Sequence, residues 1–379
     1  MLGDIISACL YLWFTRSLRF WDVLERAREY RQVCRLVDRR DEICRLVDLL
    51  TGSSAFVQVL YGPRGCGKSF LLNAFTYGVS KQSHVLSSIL CEEPESLSRL
   101  RSALSMREDL RDLFDMVCSI AAGGSPLLSV LSKLLDKISS LLQKYGYEYV
   151  LVVVDEVRGE EAKRVVEHLY NFINDLLGQG YRVCSIVSTS YGSVVGELLK
   201  TRKVRVSVVW NLGLDGVRDL LGELGSDLDP ESVYLVTGGN PREIIKWVYE
   251  YRGSFSQYLD DVLGLVTSVI QKLSVLCSER GIDEGDLLRR LIQVVEDPDI
   301  LQGMDPSISL IRQVLIEDSL VVPFLVQDFL GVTPPKDMPG IGQYFAWTTP
   351  LFAEAVKVFI ENDGRLDVVK RELLAKHSK

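Results

Sequence analysis

Residues 55–69 read AFVQVLYGPRGCGKS. The first seven form a short apolar run rich in β-formers, which predicts a buried strand over Ala55–Tyr61. The next eight, Gly62-Pro63-Arg64-Gly65-Cys66-Gly67-Lys68-Ser69, carry the spacing Gly, four residues, Gly-Lys-Ser. A polyphosphate needs several N–H donors at close range, and glycines let the backbone curl towards it with no Cβ in the way. Phe70–Phe75 continues as a helix, whose N-terminal dipole end adds to the attraction. Lys68 reaches for the outer phosphates, and the Ser69 hydroxyl is a ligand for Mg²⁺. Arg64 and Cys66 lie within the loop, and neither side chain has a role that the pattern requires. A strand directly before and a helix directly after make this phosphate-loop reading specific.

Further along, Tyr149–Val154 reads YVLVVV and ends in Asp155-Glu156. A run apolar at every position predicts a strand buried on both faces, as in a parallel sheet. An acidic pair at its end, 87 residues after Lys68, suits metal-assisted phosphoryl transfer. Asp155 would hold Mg²⁺, directly or through water, and Glu156 would orient and deprotonate the attacking water. No Asn-Lys-x-Asp segment for reading guanine is present, so ATP is the expected nucleotide.

Between and beyond these motifs, strands alternate with helices. Val37–Leu50, Ser125–Lys144 and Glu160–Leu177 have helical apolar spacing, with Ser125 and Pro126 as a cap and first-turn pair. Arg182–Val187 and Val204–Val209 read as strands, so the first half is an α/β unit with a parallel sheet. Ser188-Thr189-Ser190 follow the Arg182–Val187 strand; a hydroxyl there suits contact with a γ-phosphate or its attacking water, and equally suits ordinary turn chemistry. After Trp210 the pattern becomes helical: Leu214–Leu224, Pro230–Arg252, then short helices from Ser256 and a short strand at Tyr344–Thr348. In Gly238-Gly239-Asn240-Pro241-Arg242-Glu243, Asn240 suits the N-cap, Pro241 the first turn and Glu243 the reciprocal cap. That accounts for the segment structurally; a functional reading adds Pro241 beside the adenine and Arg242 on the phosphates.

The formal net charge is -8, which argues against a general polyanion binder. Residues 256–379 hold 19 acidic and 12 basic residues, net -7. Thr15–Arg40 runs the other way, with eight arginines and four acids, and reads as a solvated helix face in preference to a binding patch. The eight cysteines form no Cys-x-x-Cys pair and have no histidine at zinc-ligand spacing; that usage fits a reducing cytoplasm. Ile5–Phe14 is apolar but too short to span a bilayer, which takes ~20 residues. It reads as a docking helix, with a membrane-surface or partner-docking role as the alternative.

These motifs together resemble the archaeal AAA+-type ATPases, which belong with the signal-transduction ATPases with numerous domains and, more distantly, with replication-initiator ATPases. Val37-Asp38-Arg39-Arg40-Asp41-Glu42 looks like the family's Val-Asp-Arg-x-x-Glu opening. Gly62–Ser69, Asp155-Glu156, the Ser-Thr-Ser strand end and Gly238–Arg242 then follow in the family's order. The resemblance covers residues 36–255 and implies an α/β P-loop NTPase fold of the additional-strand type, with five parallel strands, a small helical lid and a C-terminal winged-helix-like domain. The implied division is an N-terminal extension over 1–35, the ATPase core over 36–213, the lid over 214–255 and the winged-helix-like domain over 256–379.

The resemblance also implies a nucleotide site made of Gly62, Pro63, Arg64, Gly65, Cys66, Gly67, Lys68, Ser69, Ser188, Pro241 and Arg242. Lys68 and Glu156 would be catalytic, and Ser69 and Asp155 would be the metal ligands. Arg242 would act as a second sensor, and Arg202 and Arg205 lie where an intersubunit arginine would stand if the protein forms an oligomer. Within the C-terminal part, Ile308–Val321 resembles a helix of the winged fold, Gly331–Gly342 its wing loop, and Tyr344–Val356 its wing and closing helix. The expected activity is Mg²⁺-dependent ATP hydrolysis driving a conformational switch between ATP and ADP states. Its target would be a protein partner or, as the alternative, DNA remodelled through the C-terminal domain; that domain is acidic where a DNA-binding one should be basic.

Overall fold

The computed structural model describes residues 20–30, 35–91 and 127–377. The apolar run Ile5–Phe14, the Ser125-Pro126 cap and Cys9, Cys34 and Cys118 lie outside the described residues.

A five-stranded sheet forms the centre of the α/β part. Its strands are β1 (Val57–Tyr61), β2 (Val85–Cys91), β3 (Tyr149–Asp155), β4 (Arg182–Thr189) and β5 (Val204–Val208), in the spatial order β2-β3-β4-β1-β5. β2 pairs with β3 and β3 with β4, both parallel. Val57 N bonds Lys203 O and Val209 N bonds Tyr61 O, the offset of a parallel β1–β5 pair. One strand, β4, stands between the loop-bearing β1 and the acid-ended β3, so the sheet is of the additional-strand type that the sequence implied. β2 is the strand that the sequence reading did not pick out: in VLSSILC, Ser87 and Ser88 interrupt the apolar run, yet both are buried.

The described residues divide into two compact units that interleave along the sequence: those within 1–60, 69–189 and 197–206 form the first, and those within 61–68, 190–196 and 207–379 the second. In the first, every residue of β3 is buried. Helix α1 (Phe20–Glu29) buries Val23, Leu24 and Ala27 and packs on α2 (Arg40–Gly52). Trp21, 57% exposed, lies under the Arg40 guanidinium at 4.8 Å. Within the arginine-rich run, Phe20–Glu29 is thus a helix with its apolar face docked and Arg26 and Arg28 exposed, whereas Arg39 further along is buried. Helix α3 (Lys68–Ser80) follows the phosphate loop, α4 (Leu127–Tyr145) packs on α5 (Glu161–Gly178), and α6 spans Gly192–Lys200. On α5 the buried positions Ala162, Val165, Val166, Leu169, Ile173 and Leu176 recur at helical spacing; each large apolar side chain so buried contributes about 1.5–3 kcal/mol. Arg39 and Glu42, from the opening motif, form an ion pair at 2.6 Å with side chains 3% and 2% exposed.

The second unit starts from the loop after β1 and continues after β5. Helix α7 (Leu214–Leu224) matches its sequence range and ends on Gly225 in a left-handed cap. The helical stretch Pro230–Arg252 breaks at the Gly238-Gly239-Asn240 cap read from the sequence: α8 (Pro230–Thr237) stops at Gly238, α9 (Pro241–Ile245) restarts from Asn240, and Lys246–Glu250 widens into a π-turn. Instead of short helices, residues after Ser254 form α10 (Phe255–Glu279), 25 residues long and uninterrupted by Pro. It is long and apolar enough to cross a bilayer, but its apolar face (Tyr258, Leu259, Val262, Leu263, Val266, Val269, Ile270 and Leu273) is buried.

That face packs against α12 (Pro306–Glu317), α13 (Pro350–Glu361) and α14 (Leu366–His377), with α11 (Glu284–Glu296) between α10 and α12 in sequence. A short antiparallel ribbon of β6 (Val321–Pro323) and β7 (Phe345–Trp347) joins α12 to α13. The Asp299 carboxylate fastens its return by accepting from the backbone N–H groups of Gln343, Tyr344 and Phe345 at 2.7, 2.7 and 3.0 Å. Val208 at the end of β5 is bridged in parallel by Phe329.

Candidate active site

The phosphate loop folds tightly on itself. Lys68, 4% exposed, donates through Nζ to the Gly62 and Pro63 carbonyls, each at 3.0 Å. Cys66 is buried; its thiol donates to Val209 O at 3.4 Å and accepts from Lys68 Nζ at 3.8 Å. Arg64 and Ser69 are exposed, which leaves the Ser69 hydroxyl accessible at the first turn of α3.

The helix start at Asn240 sits directly on this loop. Asn240 accepts the Arg242 and Glu243 N–H groups at 3.1 and 3.4 Å, closing the cap that the sequence predicted. The same side chain donates through Nδ2 to Arg64 O at 3.0 Å. Arg242 N donates to Gly65 O at 3.3 Å. Gly65 has φ +85°, and a Cβ there would come within 2.6 Å of Arg242 Cβ and 2.7 Å of Asn240 Oδ1; no other residue fits. The structure therefore brings Pro63, Arg64, Gly65, Pro241 and Arg242 to one place. Asn240 does more than the capping role assigned from sequence, because its second hydrogen-bonding group reaches 176 residues back, and spacing along a chain carries no sign of such a contact.

In the first unit, Asp155 is 4% exposed and ends β3. The Ser188 hydroxyl, fully buried, donates to Asp155 Oδ1 and accepts the Glu156 N–H at 3.0 Å. Val157 N donates to Ser188 O at 2.8 Å. Glu156 has φ +57°, an uncommon conformation for a residue with a side chain; the two bonds from Ser188 hold the turn around it. Ser188 thus spends its one proton on the Asp155 carboxylate and braces the acidic pair. Arg205 lies over the Phe56 ring at 5.0 Å, while Arg202 is exposed.

Each unit by itself therefore carries part of what the sequence pointed to: the glycine loop with its buried lysine in the second, and an exposed Ser69 with the braced Asp155-Glu156 pair in the first. The sequence of residues 36–247 matches the model of an ATPase domain predominantly from Archaea. The chain belongs to this family. It is accordingly a P-loop ATPase that binds nucleotide and hydrolyses ATP, in line with the order of its sheet.

No curated protein matches this ATPase. Among solved structures, it is similar to AMPPCP-bound DnaA from Aquifex aeolicus, with 14% identity over 74% of this chain and 86% of that one, at a TM-score of 0.35. It is also similar to Cdc6p from Pyrobaculum aerophilum, at 12% identity over 88% and 96% of the two chains and a TM-score of 0.34, and to RuvB from Thermotoga maritima, at 11%, 79%, 91% and 0.35. Likeness at this level says nothing about what this ATPase acts on.

Proposed function

We propose that this ATPase is a Mg²⁺-dependent switch in which the nucleotide state of the phosphate loop sets the position of the lid helices and the winged-helix-like C-terminal domain. The observation that carries the reading is the Gly238-Gly239-Asn240 junction. Asn240 is bonded to the loop. Gly239 packs so closely on Leu212 that a Cβ would fall 2.0 Å from its carbonyl oxygen, and a Cβ at Gly238 would fall 2.8 Å from Pro350 Cδ at the start of α13. Three parts of the second unit meet at three consecutive residues, so a displacement of the loop has a short path to α13.

Ser69 and Asp155 suit Mg²⁺ because both offer hard oxygen donors, and Mg²⁺ is typically held by one or two carboxylates together with substrate phosphates. Bound there, the cation would neutralise charge that builds up on the phosphoryl oxygens. Lys68 leaves its own loop carbonyls for the phosphates and Arg242 supplies a second cationic contact. Glu156 orients the attacking water and accepts its proton. Hydrolysis then changes the charge held at the loop, and a few differential contacts are enough to shift a two-state equilibrium.

Two measurements test this reading. Steady-state ATP hydrolysis with Mg²⁺ is compared between the parent protein and Glu156→Gln, with and without duplex DNA. The variant should lose on the order of 10²-fold in rate while still binding nucleotide; undiminished turnover would remove Glu156 from the reaction. Small-angle scattering with ADP and with a non-hydrolysable ATP analogue should give different envelopes, and identical curves would end the switch reading.

A further inference from the structure

Asn211 follows β5 and is fully buried. An asparagine in such a place is costly unless its amide is satisfied on both sides. Here it is: Oδ1 accepts from Asn240 Nδ2 at 3.3 Å, and Nδ2 donates to Thr348 O at 3.1 Å. The opposite amide orientation would set two acceptors together at Thr348, so the network fixes the direction. Thr348 in turn donates to Leu320 O through its N–H at 2.8 Å and its hydroxyl at 3.2 Å. Asn240 Nδ2 also donates to Arg64 O. A continuous hydrogen-bonded path therefore runs from the phosphate loop through Asn240 and Asn211 to Thr348, at the end of β7 and the start of α13.

The loop end of this path is sensitive to phosphate for a covalent reason. Arg64 C=O and Gly65 N–H share one peptide plane, as do Gly65 C=O and Cys66 N–H. Peptide planes are rigid, so an N–H that turns towards a phosphate turns its carbonyl as well. Those carbonyls are the ones held by Asn240 Nδ2 and Arg242 N. Beside Asn211 the backbone is anchored by Leu212 N donating to Gly239 O at 3.0 Å, so the side chain has little room to absorb a shift.

We infer that Asn211 is a positioning residue that transmits the nucleotide state of the phosphate loop to the β7–α13 junction through its bond to Thr348. This rests on the switch reading above and names the side chain through which the switch acts. Its two-sided amide joins loop and C-terminal segment directionally, where an apolar residue of the same size would fill the space without joining them.

The test is amide hydrogen exchange over residues 345–361 with ADP and with a non-hydrolysable ATP analogue, in the parent protein, Asn211→Leu and Asn211→Asp. Asn211→Leu removes both bonds at similar volume; Asn211→Asp keeps an acceptor for Asn240 and loses the donor to Thr348. In the parent, protection should differ between nucleotides on the order of 5-fold or more. Both variants should bind each nucleotide with that difference abolished, an outcome that uniform destabilisation does not produce. A parent with no difference refutes the switch reading itself. A parent difference that survives in both variants overturns the role of Asn211 and leaves the switch standing. Should the variants fail to fold, the side-chain amide resonances of Asn211 in the asparagine-labelled parent decide: they must shift between the two nucleotides, and unmoved resonances reject the proposal.

Discussion

Ser188→Ala tests how the acidic pair is held. The hydroxyl gives a hydrogen bond to the Asp155 carboxylate and takes one from Glu156 N–H. A bond to a charged group is worth about 1.5–3 kcal/mol, and a buried donor left without its acceptor costs about 1–3 kcal/mol. Glu156 also occupies a left-handed conformation at φ +57°, which costs a residue with a Cβ roughly 1–2 kcal/mol unless its surroundings hold it. Without Ser188 Oγ the turn relaxes and the Glu156 carboxylate loses its fixed direction. If about 1.4–2.7 kcal/mol of that loss falls on the transition state, kcat drops by roughly 10- to 100-fold. Nucleotide affinity should change little, because the phosphate loop and its lysine are untouched. The assay pairs steady-state ATP hydrolysis with calorimetric titration of ADP. A variant that is stably folded, binds ADP as the parent does and turns over within a factor of about two would refute the bracing role.

Two further outcomes follow from buried charge. Arg39→Ala should cost about 3–5 kcal/mol, because it strands Glu42 without its buried guanidinium; the pair Arg39→Met with Glu42→Leu should recover most of the loss in a urea titration, and a single variant as stable as the parent would contradict this. Glu243 has its carboxyl pKa raised above the usual 4.5 by burial first, an effect that nearby Lys246, the Tyr258 hydroxyl and Arg242 partly offset. Below pH 4.5 both folded and unfolded states are protonated; as pH rises from there through the folded value, the unfolded chain loses its proton first and stability falls. Glu243→Gln, which still accepts the Tyr258 hydroxyl, should therefore raise the urea midpoint at pH 7.5 and give no advantage at pH 4. An equal gain at both values would show that charge is not the cause.

The sequence by itself determined the local backbone motifs. Gly62–Ser69, the run into Asp155-Glu156 and the Asn240-Pro241 cap were legible because each depends on backbone geometry or periodicity within a few residues. The helix α10 was misread as short pieces because exposed Asp260 and Asp261 and half-buried Lys272 dilute the apolar pattern. β2 was passed over because its serines look like turn residues until the sheet buries them. Tertiary structure decided the rest. Ser188 became a brace for Asp155 and Glu156 because β3 and β4 lie side by side. Asn211 has no motif around it, and its meaning comes from Asn240, 29 residues away, and Thr348, 137 residues away. A hydrogen bond between distant residues depends on where folding places two backbones, and single-chain spacing holds no record of that.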